Sequence, residues 1–427
     1  MAFLGMRGTG DWATNQRPEN WRETILYLYP NGDMPLVGIQ SMMGSESTDD
    51  PHYHWFTKAL ATQGGAAAGV FTDAGLTSPY SGDNQAAGSL VYVQAAEDII
   101  SEFKVNHTVK LRQETDHRVD TMSVVTDRVL DGADSYITVR LIENTSATHD
   151  LDDVDRVLVT GSAHAEGANM PDSITYNPQE FSNYTQIFRN SLDITRTARK
   201  TRLRTGDAYT ELKRETLELH GVEMEKSLIH GIKYMEQGSN GKPKRYTQGL
   251  ISVINEHAPG NVDDFRYNSD YTGNTWLAGG EEWLDEALER AFRYGKSEKL
   301  AVCGSTTIRA INQLAKQSGD IDLVPTSTDY GLKVMAWLTP YGTIYLKLHP
   351  LFSHEPTDRR SMIIYEPEKV KFRYIDDTFF VDDPEKDSKN NGRDGTKEEF
   401  LTEGGWEYHH PQAFSYLTGF GLPNELT

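Results

Sequence analysis

The chain contains one cysteine in 427 residues, Cys303. A single thiol cannot form a disulfide within the chain and cannot supply the thiolates of a zinc ribbon, so both are excluded. Cys303 ends the apolar run Leu300–Cys303, which is typical of a buried strand. We therefore expect its thiol to act as a small buried apolar group and not as a nucleophile.

Long apolar runs are also missing. No segment approaches the roughly 20 apolar residues that a membrane-spanning helix needs. The first residues, Met1–Gly5, lack the basic and then apolar profile of a secretory signal. We therefore predict a protein without a membrane partner that is made in a reducing compartment.

Basic residues are scarce: 42 Lys and Arg stand against 63 Asp and Glu, for a formal charge of −21. The negative electrostatic field of such a chain repels nucleic acid at long range, which argues against a protein that reads DNA directly. A protein that surrounds DNA without binding it tightly is compatible with this charge. The apolar fraction, 37 %, is modest for a chain of this length, which indicates arms and loops that are buried only against partner chains.

One segment departs from the acidic character of the chain. We call residues 196–204 the basic segment; its basic residues are Arg196, Arg199, Lys200, Arg202 and Arg204. A nucleic-acid contact is one interpretation, but no aromatic side chains alternate with these residues to stack on bases. We favour a contact with the acidic surface of a neighbouring subunit, which relieves repulsion between chains and fixes their register.

The residue patterns that resemble catalytic, cofactor-binding or metal sites each lack a residue or a spacing that such a site requires. Gly238–Pro243 resembles a phosphate loop, but Pro243 stands where a Ser or Thr should hold magnesium. His52 and His54, like the adjacent His409 and His410, are more typical of structural pairs than of a metal site. The acidic runs near residues 150–155 and 383–398 do not have calcium-loop spacing. We therefore predict no catalytic, cofactor-binding or metal residues, and no enzyme.

The periodicity of the sequence predicts an α+β protein. Alternating runs between residues 103 and 160 favour short strands in a small barrel or sandwich. A helix is predicted for Asp207–Glu236, with one stripe formed by Leu217, Gly221, Met224, Leu228, Ile232 and Met235. Further helices are expected at Glu281–Tyr294 and Thr306–Lys316, with intervening strands that make an α/β unit. A short helix is expected at Pro51–Leu60, and a mobile charged loop at 382–397.

Several motifs in this order resemble the major capsid proteins of tailed bacteriophages with the Hong Kong 97-type fold. Each is weak alone, and the resemblance, which covers almost the whole chain, lies in their order: Pro51–Leu60, the β insertion, Glu166-Gly167, the ribbon Asn183–Arg189, the long helix, Tyr246–Leu250, Gly304-Ser305, Pro367 and Pro411–Phe414. The departures are a long β insertion and the lack of an amino-terminal scaffolding segment. Scaffolding is then expected from another protein, or from a segment removed before residue 1.

The resemblance implies a domain plan and a function. The plan is an N-terminal arm (1–90), a β insertion with an extended loop (91–205), the spine helix of a peripheral domain (206–245), an α/β axial domain (246–350), and closing strands of the peripheral domain with the C-terminus (351–427). The implied function is self-assembly into hexamers and pentamers of an icosahedral shell around double-stranded DNA. Scaffolding, portal and decoration proteins are the implied partners, and the virion, assembled in the host cytoplasm, is the implied location.

Two other classes of function stay open at this stage. Another virion protein, such as a minor capsid or tail-tube protein, is the first, although tail tubes are rich in β structure and lack a 30-residue helix. An α/β enzyme is the second, and no nucleophile–base pair or metal constellation supports it.

Overall fold

The structure is a computed structural model that describes residues 45–58, 63–81, 85–115, 120–145, 151–201, 203, 206–318, 323–325, 335–382 and 394–426. Most of the predicted N-terminal arm, and residues 383–393 of the predicted mobile loop, lie outside these ranges. The described chain divides into two compact units, one formed by residues 58–179 and one by residues 1–57 together with 180–427.

Helices and strands alternate irregularly along the chain, so the predicted α+β class is confirmed. The helices are α1 (Glu97–Ser101), α2 (Arg196–Lys200), α3 (Ala208–His230), α4 (Leu250–His257), α5 (Trp276–Phe292), α6 (Ser305–Ser318) and α7 (Pro350–His354). The strands are β1 (Ser45–Ser47), β2 (His52–Thr57), β3 (Gly64–Phe71), β4 (Leu90–Ala95), β5 (His107–Arg112), β6 (Thr121–Val129), β7 (Tyr136–Leu141), β8 (Arg156–Ser162), β9 (Gln179–Tyr184), β10 (Gln186–Thr195), β11 (Tyr234–Gln237), β12 (Pro243–Tyr246), β13 (Val262–Asp264), β14 (Glu298–Cys303), β15 (Leu323–Pro325), β16 (Met335–Thr339), β17 (Gly342–Leu348), β18 (Met362–Tyr365), β19 (Val370–Val381), β20 (Gly395–Tyr408) and β21 (Ser415–Thr418).

The smaller unit is a closed barrel with the strand order β3-β4-β7-β6-β5-β8. Its strands alternate because every second side chain points inward, and Val93, Val109, Val125 and Val139 are completely buried there. The predicted barrel or sandwich is thus confirmed. The predicted boundary at residue 90 is wrong, because β3 lies before it and closes the barrel against β8.

The larger unit contains a four-stranded sheet with the order β1-β19-β20-β10. Strand β10 runs antiparallel to β20, from the pair Gln186 and Gly404 to the pair Thr195 and Gly395. The predicted ribbon Asn183–Arg189 is therefore not a free extended loop. It belongs to β9 and β10, and β10 is built into the sheet of its own chain.

A seven-stranded mixed sheet forms the α/β part of the same unit, in the order β13-β21-β18-β14-β17-β16-β15. Its central strand β14 is buried on both faces: Leu300 and Val302 join one core, while Ala301 and Cys303 join the other beneath α5 and α6. Cys303 is buried as predicted, and burial raises the pKa of its thiol to about 12.

The predicted boundary at residue 350 does not follow the sheets. Strand β18, which the plan assigned to the closing strands, pairs with β14, and β21 pairs with β18. Only β19 and β20 of that segment join the four-stranded sheet. The reason is that β18 is a four-residue apolar run, and burial on both faces suits it to the middle of the α/β sheet.

The segment predicted as a short helix, Pro51–Leu60, contains β2, and this prediction is wrong. Strand β2 pairs with β9. Tyr53 is buried and Trp55 donates its indole N–H to the carbonyl oxygen of Tyr408 at 2.9 Å. These partners lie more than a hundred residues away, so local periodicity could not indicate them.

The spine helix is α3, and it is shorter than predicted. It begins after Asp207, whose carboxylate accepts from the backbone N–H of Thr210 at 3.0 Å, and ends at His230. The helix ends where Gly231 adopts a non-helical ψ of 147°, and only glycine fits there because a Cβ would lie 2.4 Å from the carbonyl oxygen of Thr247. Residues 234–236, predicted as its last turn, form β11 instead.

The buried face of the spine helix is also rotated from the predicted stripe. Met224 and Leu228 are buried against the four-stranded sheet in a core that includes Phe372 and Trp406. Leu217 is 46 % exposed, which corrects its predicted place in the core. Its place is taken by polar residues, among them His220, which an analysis of apolar side chains alone overlooks.

We expect Met224→Asp to destabilise the larger unit by more than about 3 kcal/mol, because it places an unpaired carboxylate in an apolar core. Leu217→Asp, the same substitution type on the exposed face of the same helix, should cost less than about 1 kcal/mol. Urea unfolding followed by tryptophan fluorescence measures both. Equal losses in the two variants would contradict the packing of this helix.

Candidate assembly site

A buried polar junction joins distant segments of the larger unit, and we define it by Asn183, Thr247, Gln248 and Trp406. The Asn183 amide donates to the carbonyl oxygen of Trp406 at 2.7 Å and to the Thr247 hydroxyl at 3.2 Å. Its carbonyl oxygen accepts from the backbone N–H of Gln248 at 2.9 Å. All four residues are buried, so each of these groups requires its partner.

The buried polar junction brings together segments that the sequence analysis singled out separately. Asn183 begins the predicted ribbon, Thr247 and Gln248 belong to the motif Tyr246–Leu250, and Trp406 precedes the closing motif. Tyr53 joins them by donating its hydroxyl to the Trp406 carbonyl at 2.7 Å. Burial raises the pKa of this phenol well above its usual range, so it stays a neutral donor. The motifs therefore mark one structural joint and not a reactive centre.

A second polar contact joins the spine helix to the four-stranded sheet. His220 contacts Asn190 on β10 through Nδ1 and Thr402 on β20 through Nε2, each at 2.7 Å. Burial lowers the pKa of this imidazole. A neutral ring that bridges two strands fixes the angle of the helix on the sheet.

The basic segment lies between β10 and the spine helix. Arg196 begins α2 and its Nε donates to the carboxylate of Asp394 at 2.7 Å. The guanidinium of Arg199 lies 4.6 Å from the centre of the Tyr209 ring. Lys200 is exposed at the end of α2, and Arg202 and Arg204 lie outside the described residues. Two of the five predicted contact residues thus have partners within their own chain.

The contacts of the basic segment within its own chain are weak. Arg196 and Asp394 are 69 % and 61 % exposed, so water and salt screen their ion pair. A carboxylate of a neighbouring chain can replace such a partner at little cost.

The histidine pairs have separate carboxylate partners. His54 contacts Glu180 at 2.6 Å, whereas His409 contacts Glu407. Across the part of the chain that the structure describes, no three His, Cys, Asp or Glu residues group as metal ligands. Within the same ranges, no helix is long and apolar enough to cross a membrane.

A β-hairpin that the sequence analysis did not predict follows the carboxyl end of the spine helix. Strands β11 and β12 form an antiparallel hairpin, and the supposed phosphate loop is its turn. Gly241, with φ of +72°, donates its N–H to the carbonyl oxygen of Gly238 at 2.9 Å. The signal was the glycine-rich turn between the two Tyr residues, Tyr234 and Tyr246, that pair across the strands.

Comparisons with known proteins find relatives in sequence and in structure. The chain is 24 % identical over 360 residues to a major capsid protein of Pseudomonas phage PaMx41, covering 83 % of this chain and 78 % of the relative. The capsid structure of cyanophage P-SCSP1u shares 11 % identity over 61 % of this chain and 80 % of its own, with a TM-score of 0.40. The capsid of Myoviridae phage XM1 shares 11 % identity over 60 % of this chain and 81 % of its own, with a TM-score of 0.37.

The family described as SU10 major capsid protein matches residues 6–421, which is nearly the full length. The predicted kinship with the major capsid proteins of tailed phages is confirmed. The segment between residues 58 and 179, which forms the barrel unit, falls inside the match. The chain belongs to the SU10 major capsid protein family.

Proposed function

We propose that copies of this capsid protein form hexamers and pentamers that close an icosahedral shell around double-stranded DNA. The observation that carries the proposal is the family match over residues 6–421. The surface of the single chain supports it, since large apolar side chains such as Ile187, Ile232, Tyr234 and Leu338 are 54–68 % exposed. Contacts with other copies of the chain would remove such side chains from water. The role is structural and requires no catalytic residue.

The proposal assigns a role to each part of the chain. The four-stranded sheet and the spine helix correspond to the peripheral domain, and the seven-stranded sheet with α5 and α6 corresponds to the axial domain. The barrel unit is an insertion between β2 and β9, at the position of the extended loop. Scaffolding, portal and decoration proteins are proposed partners, and the host cytoplasm is the proposed place of assembly.

Sedimentation velocity and negative-stain microscopy of the protein, expressed alone and with candidate scaffolding proteins, test the proposal. We expect closed rings or shells of uniform size, because capsid subunits bury their exposed apolar surface against each other. A stable 48.0 kDa monomer under every condition would contradict it.

The basic segment is proposed as a contact with carboxylates of an adjacent subunit, through Arg196, Arg199, Lys200, Arg202 and Arg204. The chain carries 63 acidic residues, so chains that approach each other repel unless cations lie at the contacts. Each exposed pair contributes about 0–1 kcal/mol, but the contact repeats at every subunit of a shell.

We expect charge reversal at Arg199 and Arg202 together to leave the subunit folded and to reduce the yield of normal particles at least tenfold. The control variant makes the same change at Arg140 and Arg156 in the barrel unit. Circular dichroism measures folding, and electron microscopy counts particles. Normal particles from the Arg199/Arg202 variant would show that the basic segment makes no such contact.

The acidic excess of the chain is proposed to face the packaged DNA and the medium. A shell must release its genome, and tight binding to its wall would oppose packaging and ejection. We expect binding of duplex DNA to the purified protein to be weak and to fall steeply with salt, as measured by fluorescence anisotropy. Nanomolar affinity at physiological salt would be inconsistent with this arrangement.

A further inference from the structure

Among the described residues, no third strand pairs with the hairpin of β11 and β12, residues 234–246. All four residues of β11 are exposed. A lone two-stranded hairpin is marginally stable in water, so it usually needs a surface to pack against. This hairpin and the preceding Ile232, which is 68 % exposed, therefore point to a partner.

The two faces of the hairpin differ. On one face the rings of Tyr234 and Tyr246 lie 6.1 Å apart, and Lys244 pairs with Glu236 at 3.2 Å. Those groups satisfy each other. On the other face Met235 stands opposite Arg245 and is 51 % exposed.

The charge of the hairpin is opposite to that of the chain. Residues 234–246 contain three basic residues and one acidic residue, in a chain of net charge −21. Lys242 lies exposed in the turn region. The hairpin thus offers an apolar side chain flanked by cations, and an acidic apolar surface is its complement.

Such a surface exists on the α/β part of the same unit. A groove of about 510 Å³ lies between α5 and the turn after β16, and its floor includes Leu284, Leu288 and Trp337. Leu338 at its edge is 58 % exposed. The rim carries three carboxylates, those of Glu281, Glu282 and Asp285. Among the described residues, no Lys or Arg forms an ion pair with any of the three.

We propose that the hairpin of one copy docks in the α5 groove of an adjacent copy. Met235 and Ile232 cover the apolar floor, and Lys242 and Arg245 face the rim carboxylates. The inference rests on the proposed self-assembly and names the two surfaces that meet. Because the two surfaces differ, the contact is heterologous, and a heterologous contact whose rotation closes generates rings such as pentamers and hexamers.

A charge exchange tests the contact. We expect Lys242→Glu with Arg245→Glu to lower the yield of rings and shells at least tenfold, and Glu281→Lys with Glu282→Lys to do the same. All four changes in one chain should restore assembly, because the attraction is re-formed with its signs reversed. A purely structural role of either site would not give this rescue. The Arg140 and Arg156 reversal serves again as the control.

The outcomes separate this inference from the proposed function. If the unmodified protein never assembles, the proposed function fails. If it assembles and either double variant assembles normally, or if the combined variant is not restored, the docking contact is wrong while self-assembly stands.

A cross-link between copies gives an independent measurement. The single native cysteine is buried, so introduced thiols react without competition. Met235→Cys in one chain and Leu338→Cys in another should form an interchain disulfide in assembled mixtures and not in either variant alone. Assembled mixtures that yield no such dimer would overturn the contact, whichever other surface then covers the hairpin.

Discussion

The fold of the larger unit depends on the requirement that Asn183 keep its buried hydrogen bonds. Its side chain is completely buried and contacts two separate parts of the chain: Trp406 on β20, and the adjacent residues Thr247 and Gln248. Leaving a buried amide without partners costs about 1–3 kcal/mol per group, so the segments must meet in one register. Close backbone contacts at glycines further restrict how these segments can pack. A Cβ on Gly249 would lie 2.6 Å from the backbone nitrogen of Gly231, so the end of the spine helix fits only one way.

Buried charges in the same unit also require specific partners, and so they too favour one arrangement of the chain. Lys299 on β14 is completely buried and donates to the carbonyl oxygen of Ala413 at 2.6 Å, with Glu366 at 3.3 Å. Burial lowers the pKa of this ammonium to about 8, against the opposing effect of Glu366. A buried pair adds little net stability, but removing one partner leaves a buried charge that costs about 3–5 kcal/mol. Such a pair therefore favours one arrangement of the strands over others, although it adds little to the stability of that arrangement.

The sequence predicted the elements whose pattern is local. Alternation indicated the barrel strands, and apolar periodicity indicated helices at Glu281–Tyr294 and Thr306–Lys316, which overlap α5 and α6. Predictions failed where distant partners decide the conformation. Residues 52–57 form a strand because β9 lies beside them, and no neighbour in sequence signals that pairing. The predicted spine helix is too long because Ile232 and Met235 continue its apolar period, whereas the backbone leaves the helical conformation at Gly231. The candidate contact residues followed from charge alone, so the sequence could name the basic segment but not its partner.

The two basic features of this acidic chain stand at opposite ends of the spine helix. The basic segment precedes Ala208, and the hairpin follows His230. A helix of 23 residues is about 35 Å long at about 1.5 Å per residue. A single exposed contact leaves a neighbour free to rotate about it, whereas two contacts at that separation define an orientation. His220 holds the helix at an angle on its sheet, and the close contacts of Gly231 hold its end, so buried groups set the distance between the two proposed contacts. The acidic remainder of the surface then opposes other approaches, which makes repulsion part of the specificity.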